Sequence, residues 1–324
     1  MPLIEGNPEI DRYLPLYSGG VFPPESELQA VAEKIRAGGY DLCLNANPFL
    51  AGSRLTGSLP VFDFTSHAPA IARNEVAAEE PNHIIFQYRR FVHQLLDQVA
   101  EPQRALPAAG VTVGLTDEAI EQAAHFLQGV PAGHALVLFN TDTASPFTRI
   151  PFADQADLLA RLLRGNTFVL VGAGHTEAGL GQRLAETVPP ESRDRVRLVP
   201  AALSLGAFSA LSDRCDLFVT GDTGPMHIAA ARKYSRSGKH PVRNRTAVLC
   251  VFGATPPRLS GYDSSQPGYL AANQQAPSWT EVADSPCRNI TCVNKLFKTC
   301  RTVRCFDRLD FAAVADRALA YLAA

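Results

Sequence analysis

The chain has 324 residues, 46% of them hydrophobic and 19% charged, with a formal net charge of −2. That length and apolar content suffice for two soluble domains of ordinary size, and the charge balance excludes a general attraction to nucleic acid or to an anionic surface. No apolar run is long enough to span a bilayer, and Met1-Pro2-Leu3-Ile4-Glu5-Gly6 has neither the charged nor the apolar region of a signal peptide. A cytoplasmic location is expected. The seven cysteines are then expected to be thiols or metal ligands rather than disulfides.

In chain order, Glu27 to Arg36 has helical spacing, with Leu28, Val31, Ala32 and Ile35 on one face, and Gly38-Gly39 ends it. Tyr40 to Leu44 reads as a buried strand, a short strand is expected near Val61, and residues 84–99 again have helical spacing. Residues 101–114, rich in Pro, Ala and Gly, lead to a helix that Thr116 caps and Gly129 terminates. Expected strands follow at 135–139, 167–171, 196–199, 216–220 and 246–252, with helical patterns at 152–163, 177–187, 204–211 and 225–232 between them. This alternation predicts βαβ units and a parallel sheet covered by helices on both faces. The expected division is 1–128 for a first domain, 129–305 for a second, and 306–324 for a terminal helix that packs back on the first.

An open parallel sheet binds ligands at the carboxyl ends of its strands. The segment with the most chemistry there is Asp222-Thr223-Gly224-Pro225-Met226-His227, between the run Leu217–Gly221 and a small-residue helix. A turn from strand end to helix start presents unpaired backbone N–H groups and the positive end of a helix dipole, which suits a phosphate. The alternative for Asp222 and Thr223 is simple helix capping, with Gly224 serving the turn.

These residues resemble glycosyltransferase family 9, the heptosyltransferase family of lipopolysaccharide synthesis. The resemblance rests on D-[ST]-G-x-x-H at Asp222–His227, on F-G-x-T-x-P at Phe252–Pro257, on the S-L helix from Ser204-Leu205, and on N-P-x-I-D at Asn7–Asp11. It implies an α/β fold of GT-B architecture, two Rossmann-like domains with parallel sheets facing a cleft. It also implies metal-independent, inverting transfer of a sugar from a nucleotide-sugar donor, of which ADP-heptose is one, to a glycan or lipid-linked acceptor. An enzyme of this kind would work on the cytoplasmic side, peripheral at the inner membrane. Only six residues precede Asn7. The resemblance therefore implies a first domain truncated by the family's opening strand–helix–strand, with the Asp taken there as catalytic base. Asp11, Asp41 and Asp63 are first-domain acids, and none sits in a motif for that role. A family member that binds a nucleotide sugar or a partner without turnover is the alternative.

On this reading the Thr223 hydroxyl and the backbone N–H groups of Thr223 and Gly224 hold the donor diphosphate, Asp222 accepts from sugar hydroxyls, and His227, kept neutral by the helix dipole, donates to a phosphate or sugar oxygen. Thr141 and Thr143 belong to a hydroxyl-rich loop after the first strand of the second domain. Arg149 would neutralise the leaving diphosphate, since no D-x-D motif supplies a metal for that work. Glu177 would meet the ribose hydroxyls and Leu203 the base. Plainer alternatives are a surface arginine at Arg149, a helix-dipole carboxylate at Glu177 and a histidine satisfied by backbone at His227.

Cys287, Cys292, Cys300 and Cys305 lie at intervals of five, eight and five positions. Four thiolates so close can hold a structural zinc or iron; four reduced thiols in a basic loop are the alternative. Cys43, Cys215 and Cys250 are expected in the core.

Overall fold

The computed structural model describes residues 25–40, 43–45, 61–63, 91, 92, 94, 97, 113–140, 142–143, 147–172, 179–234, 246–255, 257–262, 278–282 and 304–324. The chain divides into two units, one of Ile10–Pro107 and one of Ala108–Ala324.

In the first unit, helix α1 (Glu25–Ala37) buries Leu28, Val31 and Ala32, the face the spacing predicts. Strand β1 (Cys43–Asn45) pairs in parallel with β2 (Val61–Asp63), Cys43 opposite Val61. Asp63 therefore ends a parallel strand, the end where such sheets carry ligand groups. Phe91, Val92, Gln94 and Asp97 are helical, and Phe91 is buried.

Helix α2 (Asp117–Phe126) lies in the second unit. Thr116 caps α2, accepting from the Ala119 N–H at 3.2 Å. Its buried Ala123 packs in the same cluster as Ala210 and Leu211 of α5 (Leu205–Ser212). Gln122 accepts from the Ser204 hydroxyl at 3.0 Å across the same contact.

Six parallel strands follow: β3 (Ala135–Asn140), β4 (Thr167–Gly172), β5 (Val196–Val199), β6 (Leu217–Gly221), β7 (Ala247–Phe252) and β8 (Ser278–Val282). Their order is β5-β4-β3-β6-β7-β8, the doubly wound order with its reversal between β3 and β6. Side chains alternate across a strand, and the two faces sort accordingly. Val137, Phe139, Val169, Val171, Leu217, Val219, Leu249 and Val251 point to one layer. Leu138, Phe168, Leu170, Phe218 and Val248 point to the other. The first layer takes Leu158, Leu159 and Leu162 of α3 (Phe152–Leu162), Leu180 and Leu184 of α4 (Leu180–Thr187), and Phe311, Val314, Ala315 and Ala318 of the C-terminal helix. The second takes α2, α5 and Ala229 of α6 (Gly224–Tyr234). Each fully buried leucine contributes about 1.5–3 kcal/mol.

Strand β8 was not anticipated; among the described residues it lies at the edge of the sheet. The C-terminal helix buries its apolar face in the second unit against α3, and Arg317 pairs with Glu281 of β8 at 2.6 Å. Trp279 and Tyr321 rings, 5.5 Å apart, add to the same seam. With the short helix α7 (Pro257–Ser260) after β7 counted, the terminal one, Phe311–Ala323, is α8.

Candidate functional site

Three segments converge at the carboxyl ends of β3, β6 and β7, beside the reversal of strand order. The first is the loop after β3. Thr143 and Thr148 hydroxyls share a buried 2.7 Å hydrogen bond, and Arg149 donates from Nη2 to the Thr143 carbonyl at 3.0 Å. Gln155, fully buried in the first turn of α3, donates to the Ile150 carbonyl at 2.6 Å and holds the loop down. This loop crosses the neighbouring strand ends. The Phe147 carbonyl meets the Ala254 N–H at 3.5 Å. A Cβ on Gly221 would lie 3.4 Å from the Thr148 carbonyl.

The second segment is the turn from β6 into α6. Thr223 is buried and its hydroxyl lies 3.2 Å from that of Thr220. What it turns outward is therefore backbone rather than the hydroxyl. The N–H groups of Thr223 and Gly224 bond to no described residue, and Pro225, the second helical residue, has none. Gly224 is exposed, and among the described residues nothing outside its own neighbours and helix lies within 4 Å of the position a Cβ would take. Its φ is not in the left-handed region, so the turn itself does not require glycine. Asp222 is half-buried and accepts from the Ser260 hydroxyl at 3.3 Å through Oδ1, and no described residue donates to Oδ2.

The third segment follows β7 and brings in Ser260 and Tyr262. Tyr262 is buried, and its Oη lies 2.9 Å from Nδ1 of His227, the rings meeting edge to face. Burial lowers the His227 pKa from its usual value, against the opposing pull of Asp222. The neutral form expected for His227 is thus favoured, with burial as the leading cause. Burial likewise pushes the Tyr262 phenol well up, so it keeps its proton. Beneath the turn the Cys250 thiol lies 3.0 Å from the Met226 sulfur.

Of the expected site residues, Thr143, Arg149, Asp222, Thr223, Gly224 and His227 meet here. Leu203 lies past the end of β5 and packs partly on the second core cluster. Three strand spacings separate β5 from β6, about 14 Å, so Leu203 can serve only a far end of a ligand. Thr141 and Glu177 lie outside the described residues, as do Cys287, Cys292 and Cys300. Cys305 is buried beside Phe306 in the first core cluster. Cys215 and Cys250 are core thiols as expected, and the Cys43 side chain is outside the description. Sequence reasoning reached Ser260 only as the end of a strand-end segment, 253–260, and missed Tyr262; their one signal is that they follow the F-G-x-T-x-P strand end. Among the described residues no group of acids, histidines and cysteines could hold a metal, and no helix is long and apolar enough to cross a membrane.

A doubly wound sheet with an open helix N-terminus at its reversal point defines a protein with a nucleotide-binding type of α/β fold. The family follows from comparison. The model of glycosyltransferase family 9 (heptosyltransferase) matches residues 28–298, and the chain belongs to that family of sugar transferases. A family 9 glycosyltransferase from Veillonella parvula matches over 99% of this chain and 85% of its own, with a TM-score of 0.65 and 20% identity. The E. coli ADP-heptose lipopolysaccharide heptosyltransferase II matches over 92% and 81%, with a TM-score of 0.60 and 13% identity. The E. coli heptosyltransferase WaaC with ADP matches over 92% and 78%, with a TM-score of 0.53 and 18% identity. The GT-B class expected from the sequence is that of these neighbours. No curated protein sequence matches the chain.

Proposed function

We propose that this chain transfers a sugar from a nucleotide-sugar donor to a glycan acceptor, and that the Asp222–His227 turn holds the donor's diphosphate. The observation that carries the reading is the open N-terminus of α6, with the N–H groups of Thr223 and Gly224 bonded to no described residue at the reversal of strand order. As the sugar leaves, negative charge grows on the diphosphate. The helix dipole and the Arg149 guanidinium, anchored on the Thr143 carbonyl, oppose that charge without a metal. Asp222, whose Oδ2 accepts from no described residue, accepts from sugar hydroxyls. A base must take the acceptor's proton, and attack from the face opposite the diphosphate inverts the sugar carbon.

ADP-heptose is the donor that the family suggests, and a neighbour solved with ADP supports the nucleotide. The acceptor is then a lipopolysaccharide-type glycan, met on the cytoplasmic face of the inner membrane. Two measurements on the full chain test this: calorimetric titration with ADP, then ADP release from ADP-heptose with and without a lipopolysaccharide core acceptor, in EDTA. Acceptor-dependent release is the expected result. Tight ADP binding with neither hydrolysis nor transfer would leave a non-catalytic binding role. Absence of binding to any nucleoside diphosphate would sink both.

A further inference from the structure

Tyr262 and His227 come from segments 35 residues apart and meet at the mouth of the turn. Their geometry is close: Oη to Nδ1 is 2.9 Å, and the ring planes cross at 76° with centroids 5.6 Å apart. Tyr262 is 2% exposed, so its ring is fixed by packing on the chain around β7. His227 is only half-buried, and its second nitrogen, Nε2, has no hydrogen-bond partner among the described residues. A neutral imidazole carries one N–H and one bare nitrogen, and the partner of one nitrogen sets the state of the other.

We propose that Tyr262 is a positioning residue: its hydroxyl donates to Nδ1 of His227, fixes the ring's rotation and its Nε2–H tautomer, and so aims one N–H at an oxygen of the bound donor. The proposal rests on the donor-site reading above. The surroundings agree with it. Burial keeps the phenol protonated and the imidazole neutral. The Cys250 thiol, pushed well up by burial, is uncharged. Asp222, whose Oδ1 takes the Ser260 hydroxyl, is the facing charge that pulls the other way. An imidazole with its proton on Nδ1 would present a bare Nε2 to a phosphate and repel it.

Nitrogen NMR on the full chain with labelled histidine tests the tautomer without ligand. At pH 8 the His227 Nδ1 should show the shift of an unprotonated, hydrogen-bonded nitrogen and Nε2 that of a protonated one. Tyr262→Phe should move Nδ1 toward the unbonded value while the ring packing and melting temperature stay. A proton on Nδ1 in the wild type would overturn the proposal. In ADP titrations Tyr262→Phe should weaken binding by about 2- to 10-fold, the worth of one hydrogen bond. The same substitution in a His227→Ala background should cost nothing further. Equal weakening in both backgrounds would make Tyr262 a packing residue only. A wild type that binds no ADP would fail the donor reading, while the nitrogen shifts would still decide the tautomer.

Discussion

Gly224→Ala separates what the fold needs from what a ligand needs. The added Cβ meets no described residue within 4 Å beyond its own chain neighbours and helix backbone, and the backbone there is not left-handed. The substitution should therefore cost the fold nothing. As the first residue of α6, alanine should even gain a part of the ~0.5–1 kcal/mol by which it exceeds glycine in helices. For a unit of this size that raises the melting temperature by at most about 2–4 °C. The ligand fares differently if a phosphate lies on the Thr223 and Gly224 N–H groups, since the methyl group occupies the space through which it approaches. Loss of one charge-assisted hydrogen bond is worth about 1.5–3 kcal/mol, or roughly 10- to 100-fold in affinity. The assay pairs calorimetric ADP titration with thermal unfolding of the same samples. ADP affinity within about twofold of wild type would refute the placement of the diphosphate. A clearly lowered melting temperature would refute the geometry of the turn.

Gly253→Ala should behave oppositely: its Cβ would lie 2.5 Å from Phe306 Cζ and 2.9 Å from the Phe147 carbonyl oxygen. Overpacking of this kind costs about 1–3 kcal/mol, so the melting temperature should fall, and an unchanged one would show that the Phe306 ring yields freely. Arg149→Lys keeps the charge and loses the planar fork anchored on Thr143. It should lower kcat by about 10²-fold with a smaller effect on KM; a rise in KM alone would mean that Arg149 serves ground-state binding. His227 has its pKa lowered by burial, so the unfolded chain binds its proton more readily than the folded one. Its contribution to stability is then full above the unfolded pKa of about 6.5 and is lost as pH falls toward the folded value. The melting temperature of wild type relative to His227→Gln should drop below about pH 6.5, and parallel profiles would refute the assignment.

The second unit was legible because its central strands are covered on both faces. β4, β6 and β7 each bury nearly every residue, so each appears in the sequence as an unbroken apolar run. β8 carries no such run. Among the described residues it borders one neighbour, and Ser278, Thr280 and Glu281 interrupt its apolar residues. The boundary region is hard to read for a related reason. Residues 101–114 and 131–133 both have linker composition, and the small buried face of α2, Ala119 and Ala123, carries too little pattern to say which sheet it covers. What assigns α2 is contact with α5, including the Gln122–Ser204 bond 82 residues apart in sequence.

The same division runs through the site. The Asp222–His227 spacing encodes backbone geometry, a strand end followed at once by a helix start, and that geometry is local enough to read from six residues. Rotamers and partners are not local. The Thr223 hydroxyl is spent on Thr220, which the motif alone leaves open. Ser260 and Tyr262 reach Asp222 and His227 across 38 and 35 residues. Neighbouring parallel strands require a crossover of a dozen or more residues. Every side chain that β7 sends to β6's ligand end is therefore remote in sequence from what it touches. In a doubly wound sheet the backbone part of an anion site is thus written in one short stretch. The groups that set its protonation and specificity are spread over the following βα units, where only packing brings them together.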